Sequence, residues 1–99
     1  MRVIGSVEVR GVVYEAVWGS LSSIENQEVG SGKALAVRGD DGRNETVIRH
    51  NAKLAEVQAS LRHLRSLGLN DSQLSRLFGY KGDKRGLPQY VKVLVSRLN

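Results

Sequence analysis

The chain contains no cysteine, which excludes disulfides, thiolate zinc sites and a cysteine nucleophile. Long hydrophobic runs are also absent. Met1 to Gly19 alternates apolar with polar residues and carries Glu8 and Glu15, so it is neither a signal-peptide core nor a membrane span, and a soluble cytoplasmic protein is expected. Aromatic residues are scarce: Tyr14, Trp18, Phe78, Tyr80 and Tyr90 are the whole set. Three of them suit core or helix packing, whereas RNA-binding modules need exposed stacking platforms, so RNA ranks below DNA as a partner. The two histidines, His50 and His63, have no carboxylate at ligand spacing, and no metal site is expected. No serine stands with a histidine and an acid in the local sequence, so neither catalysis nor a cofactor is expected.

Several near-motifs fail on one residue. Val29-Gly30-Ser31-Gly32-Lys33-Ala34 approximates the end of a P-loop, but Gln27 stands where glycine is needed and Ala34 where the magnesium-binding hydroxyl belongs. Arg38-Gly39-Asp40 spells an adhesion tripeptide, which reads better as a hairpin turn. Asn44-Glu45-Thr46 and Asn70-Asp71-Ser72 match glycosylation acceptors, which are expected to be irrelevant where the sequence shows no secretion signal.

What is present is an uneven charge. Residues 1–50 carry six basic side chains against seven acidic ones, net −1, while residues 51–99 carry nine against three, net +6, within a total of +5. No run of consecutive cations exceeds Lys84-Arg85, so the basic half is a folded surface and not a disordered tail. A one-sided basic module suits a partner with repeated negative charge, of which nucleic acid is the commonest.

The first half, residues 1–50, reads as an antiparallel β subdomain. Ser6-Val7-Glu8-Val9-Arg10 alternates strictly, as a strand with one wet face does. Gly11 is then either the turn of a tight hairpin into Val12–Trp18, the favoured reading, or a bulge in one bent strand. A second hairpin joins Lys33–Arg38 to Glu45–His50 through Gly39-Asp40-Asp41-Gly42-Arg43, where Gly and Asp supply turn conformations. Gly19 to Gly32 is a long connection. The apolar residues of this half exceed what a short helical bundle can cover, and the excess suits a homodimer interface unless the sheet packs on the helices of its own chain.

Residues 51–99 read as a basic three-helix subdomain, giving an α+β fold of N-terminal hairpins followed by a helix-turn-helix-like bundle. Asn51 is an N-cap candidate, after which Leu54, Val57, Leu61, Leu64 and Leu67 recur at spacings of three and four until Gly68 stops the helix. Asn70 with Gln73 forms a capping box, and Leu69 with Leu74 a hydrophobic staple. The third helix starts at Pro88 and carries Leu87, Tyr90, Val91, Leu94 and Leu98.

Ser72-Gln73-Leu74-Ser75-Arg76-Leu77-Phe78-Gly79-Tyr80 resembles the first helix and turn of helix-turn-helix domains, with small Ser75 where helices approach and Gly79 at the turn. Eight residues, Tyr80 to Leu87, intervene before the third helix, more than that motif's usual turn. Lys84-Arg85-Gly86-Leu87-Pro88-Gln89-Tyr90-Val91 resembles the basic-glycine loop and proline-started helix of histone-like nucleoid-structuring proteins. Both resemblances imply DNA binding by a non-catalytic transcriptional regulator or nucleoid-associated factor of a microbe or phage. The contacts then expected are Lys81, Lys84 and Arg85 on the loop and Gln89, Lys92 and Arg97 on the third helix, with Arg62, Arg65 and Arg76 adding attraction. The rival from another class is a small phage-type inhibitor or adaptor that docks on a host nucleic-acid-processing complex.

Overall fold

The computed structural model describes residues 2–20, 24, 32–49 and 52–78. Strands β1 (Arg2–Val9), β2 (Val12–Ser20), β3 (Lys33–Arg38) and β4 (Asn44–Arg49) form one antiparallel sheet in sequence order. Two helices follow, α1 (Leu54–Ser66) and α2 (Asp71–Leu77).

Gly11 belongs to a hairpin turn. Arg10 (φ 54°) and Gly11 (φ 80°) both take left-handed backbone between β1 and β2, the pattern of a two-residue type I′ turn whose twist matches that of the strands. Two irregularities lie elsewhere. In β1, Val3 pairs with Val17 and Gly5 with Ala16, so Ile4 is an extra residue in the edge strand. In β4, Thr46 pairs with Val37 and Asn44 with Arg38, so Glu45 is extra. Bulges of this kind bend an edge strand and re-aim its side chains.

The sheet is buried on both faces near its centre, which explains why Ala34-Leu35-Ala36-Val37 is apolar without alternation. On one face Val7, Val9, Tyr14, Ala16, Trp18, Leu35, Val37 and Ile48 meet Leu61, Leu64, Leu69, Leu74, Leu77 and Phe78 from the helical half. On the other, Val17, Ala34 and Ala36 form a smaller cluster with Ile24 and the half-buried Val47.

The expected three-helix bundle is corrected here. The described residues form a four-stranded sheet followed by two short helices, and these do not make a core of their own. Helix α1 packs chiefly on β4, and α2 on β1 and β2. The physical reason is area: a seven-residue helix has two or three apolar side chains to bury, and the sheet face offers a far larger apolar surface than another short helix does. Apolar spacing shows that a helix has a buried stripe and says nothing of what covers it. The third helix, read over residues 88–98, lies outside the described residues.

Helix starts and stops follow local chemistry with one exception. Asn51 is not the N-cap of α1; the helix begins later, after Lys53, whose side chain makes no capping bond. Leu54, placed on the apolar stripe, is 50% exposed. At the other end Gly68 N–H donates to Arg65 O (3.0 Å) and Leu69 N–H to Leu64 O (3.4 Å), a Schellman motif with Gly68 at φ 106°. For α2 the capping box is complete: Gln73 N–H donates to Asn70 Oδ1 (2.9 Å) and Asn70 N–H to Gln73 Oε1 (2.8 Å).

Candidate nucleic-acid interface

Both helices cover the same face of the sheet, so their outer surfaces look toward one side of the molecule. Arg62, Arg65 and Arg76, expected to be solvent-facing cations, are all exposed there. Their surroundings differ. Arg65 donates from Nε (3.2 Å) and Nη2 (3.0 Å) to Asp71 Oδ1 at the start of α2. Arg62 and Arg76 have no carboxylate within ion-pair distance among the described residues. Among the described residues, three expected contributors thus become two charges without an ion-pair partner and one compensated one. The Arg65–Asp71 pair is exposed on both sides (46% and 65%), so it adds at most about 1 kcal/mol of stability, and its main consequence is electrostatic.

Gln58, Leu61, Arg62 and Arg65 line a shallow groove of about 250 Å³ along α1. The helical period gathers them: residues 58, 62 and 65 are spaced by four and three, and Leu61 provides the floor from the buried stripe. Gln58 was not singled out in the sequence, although its spacing from Arg62 was legible once α1 was placed.

Two further side-chain environments were hidden. The Arg10 guanidinium, from the β1–β2 turn, lies against Gly68, about 3.4 Å from where a side chain there would begin. That is the C-terminal end of α1, where exposed carbonyls favour positive charge. Extra residue Glu45 on β4 meets α1 through its carboxylate, with His63 Nε2 at 3.2 Å from Oε2, and Thr46 Oγ1 donates to or accepts from Ser60 Oγ at 2.8 Å. These contacts fix α1 to the sheet edge on the flank away from the groove.

Asp40 and Asp41 are occupied with turn chemistry. Asp40 Oδ1 accepts Val13 N–H (3.0 Å) where β3 has ended, and Asp41 Oδ1 accepts Arg43 N–H (3.0 Å). The Arg38-Gly39-Asp40 tripeptide therefore has its carboxylate engaged by the backbone. Among the described residues no group of three or more His, Asp or Glu side chains could hold a metal ion, and no helix is long and apolar enough to cross a membrane.

Lys81, Lys84, Arg85, Gln89, Lys92 and Arg97 lie outside the described residues, as do Gly79 and Tyr80 of the helix-turn-helix-like segment. No family model matches the chain, and neither the curated proteins nor the solved structures give a match.

Proposed function

We propose that the protein is a small non-catalytic DNA-binding factor, a transcriptional or nucleoid-associated regulator of a microbe or phage that works in the cytoplasm, on the nucleoid. The observation that carries this reading is the placement of Arg62 and Arg76, exposed and without an ion-pair partner among the described residues, on the outer surfaces of two helices that share one side of the sheet. The +6 charge of residues 51–99 supports it, because a broad cationic side neutralises several phosphates at once and releases their counterions. Lys81, Lys84, Arg85, Gln89, Lys92 and Arg97 are proposed to extend the same interface, the loop cations on phosphate or in a narrow minor groove and Gln89 or Lys92 on base edges.

A gel-shift series at two or more salt concentrations, with random duplex, A·T-rich duplex and single-stranded RNA, tests the reading. Duplex affinity should fall with salt at a log–log slope reflecting roughly four to seven contacts at about −0.9 each. Micromolar protein that shifts no duplex at low salt overturns DNA binding and leaves the docking inhibitor or adaptor as the better account.

A further inference from the structure

The groove on α1 is too small and open to enclose a metabolite. Its volume of about 250 Å³ falls below the roughly 300–1,000 Å³ of sites that bury most of a small ligand. It exceeds the roughly 30 Å³ share of one water several-fold, so it holds one polar group that remains attached to something larger or stays partly in solvent. Its lining supplies donors in excess: two guanidinium groups and an amide, with Leu61 as the only apolar side chain. Glu56, the one acidic residue of α1, falls on the opposite flank by helical period.

The Arg65–Asp71 pair sets what kind of anion fits. A planar carboxylate is held best by a guanidinium edge that gives two parallel hydrogen bonds. Arg65 has already turned its Nε/Nη2 edge onto Asp71 Oδ1. Three of its five N–H donors are left to offer, both on Nη1 and the second on Nη2, all held in a fixed orientation by that pair. Among the described residues nothing engages the Arg62 fork. A tetrahedral oxyanion, whose acceptor oxygens are spread in three dimensions, meets Arg62, Arg65 and Gln58 from different directions, a better match to this lining than the two in-plane oxygens of a carboxylate. The local charge of Arg62, Arg65 and Asp71 sums to +1, matching the single negative charge of a phosphodiester.

We infer that this groove is a phosphate seat, in which Arg62 is the principal charge, Gln58 an amide donor, and Arg65 a positioning donor whose orientation Asp71 holds. Where the phosphate belongs to a DNA backbone, the inference deepens the DNA-binding reading and rests on it; where it belongs to a small phosphorylated molecule, it stands alone. Asp71 then tunes the seat, since it withholds one charge from the ligand.

The test is an NMR titration of the full chain with inorganic phosphate, with a 16-base-pair duplex and with an oligoglutamate peptide. The Nε–H signals of Arg62 and Arg65 and the side-chain amide of Gln58 are followed. Phosphate and duplex should both move these signals. Arg62→Ala should weaken the phosphate response at least tenfold, Arg62→Lys should restore part of it, and Asp71→Asn should strengthen it. The backbone spectrum of each variant reports whether it is folded, and Gln58→Ala gives an independent loss if α2 tolerates Asp71→Asn poorly. Movement with phosphate but not with duplex supports the seat and removes it from the DNA interface. Duplex binding whose shifts fall elsewhere, with no response to phosphate, overturns the seat and leaves DNA binding standing. A response to oligoglutamate alone overturns the seat in favour of an acidic protein partner.

Discussion

Gly5 in β1 carries the α2–sheet contact. A Cβ built on it would overlap Leu77 O and approach Arg76 O to 2.5 Å, and both are backbone atoms that cannot rotate away. Gly5→Ala should therefore cost roughly 3 kcal/mol or more, at the upper end of overpacking effects. Ser6→Ala, one residue on and exposed, should stay within about 0.5 kcal/mol. Urea unfolding of the two variants checks the contrast, and similar midpoints would mean that α2 is not seated on β1. Gly68 is demanding for a different reason, its left-handed φ of 106° and the 3.2 Å approach of Val9 Cγ1 to an added Cβ. The sequence marked Gly68 as a helix stop, but Gly5 carried no local signal, because the atoms it makes room for lie more than seventy residues away in the chain.

Among the elements, α2 is the one whose start follows the local sequence most closely. Its capping box satisfies two of the backbone groups that a helix terminus leaves open. Asn70→Ala should cost about 1 kcal/mol, or about 4–8 °C in Tm for a domain of this size, and should leave the proposed DNA binding unchanged once the protein is folded. Helix α1 is read less well from sequence, since its start was placed at an asparagine and the structure begins it after Lys53 without a side-chain cap. Charge is the other property that belongs to elements. Arg62→Ala with Arg76→Ala removes two exposed cations that hold no partner among the described residues, so the salt slope should flatten by about 1.8 while Tm holds. Lys84→Ala with Arg85→Ala removes the same charge from the loop. If that loop enters a groove it should lose about 2 kcal/mol or more of binding, the size of a good base contact, and equal losses from the two double variants would reject the loop as a specific site.

At the scale of the whole molecule, sheet and helices share one core. Leu61, Leu64, Leu74, Leu77 and Phe78 are buried against strand residues, so residues 51–99 expressed alone should lose their main apolar partner. Far-UV circular dichroism should show that fragment to be largely unfolded, and a cooperative thermal transition in it would contradict a shared core. Covering one sheet face with helices also uses up much of the apolar excess that suggested a dimer. Val3 (55% exposed), paired with Val17, and Val13 (41% exposed), four residues before Val17 on β2, remain on the other face. If they mediate the homodimer expected from the sequence, sedimentation should give twice the 10.9 kDa chain mass, and Val3→Asp should return it to the monomer.

The sequence by itself determined the hairpins, the local stops and caps, and the distribution of charge, but not the number of helices or the start of α1. Both hairpins, the capping box at Asn70, the stop at Gly68 and the cationic bias of the second half are all written in residues close together in the chain, because turns, caps and periodicity are local chemistry. Only the tertiary structure decided what each buried face meets. The helices lie on the sheet where a bundle was expected, Arg65 is compensated by Asp71 across the α1–α2 junction, and Arg10 from the neutral half reaches the end of α1. Apolar burial is non-directional: a stripe of leucines specifies that it must be covered, and the competition among available surfaces over the whole chain settles which one covers it.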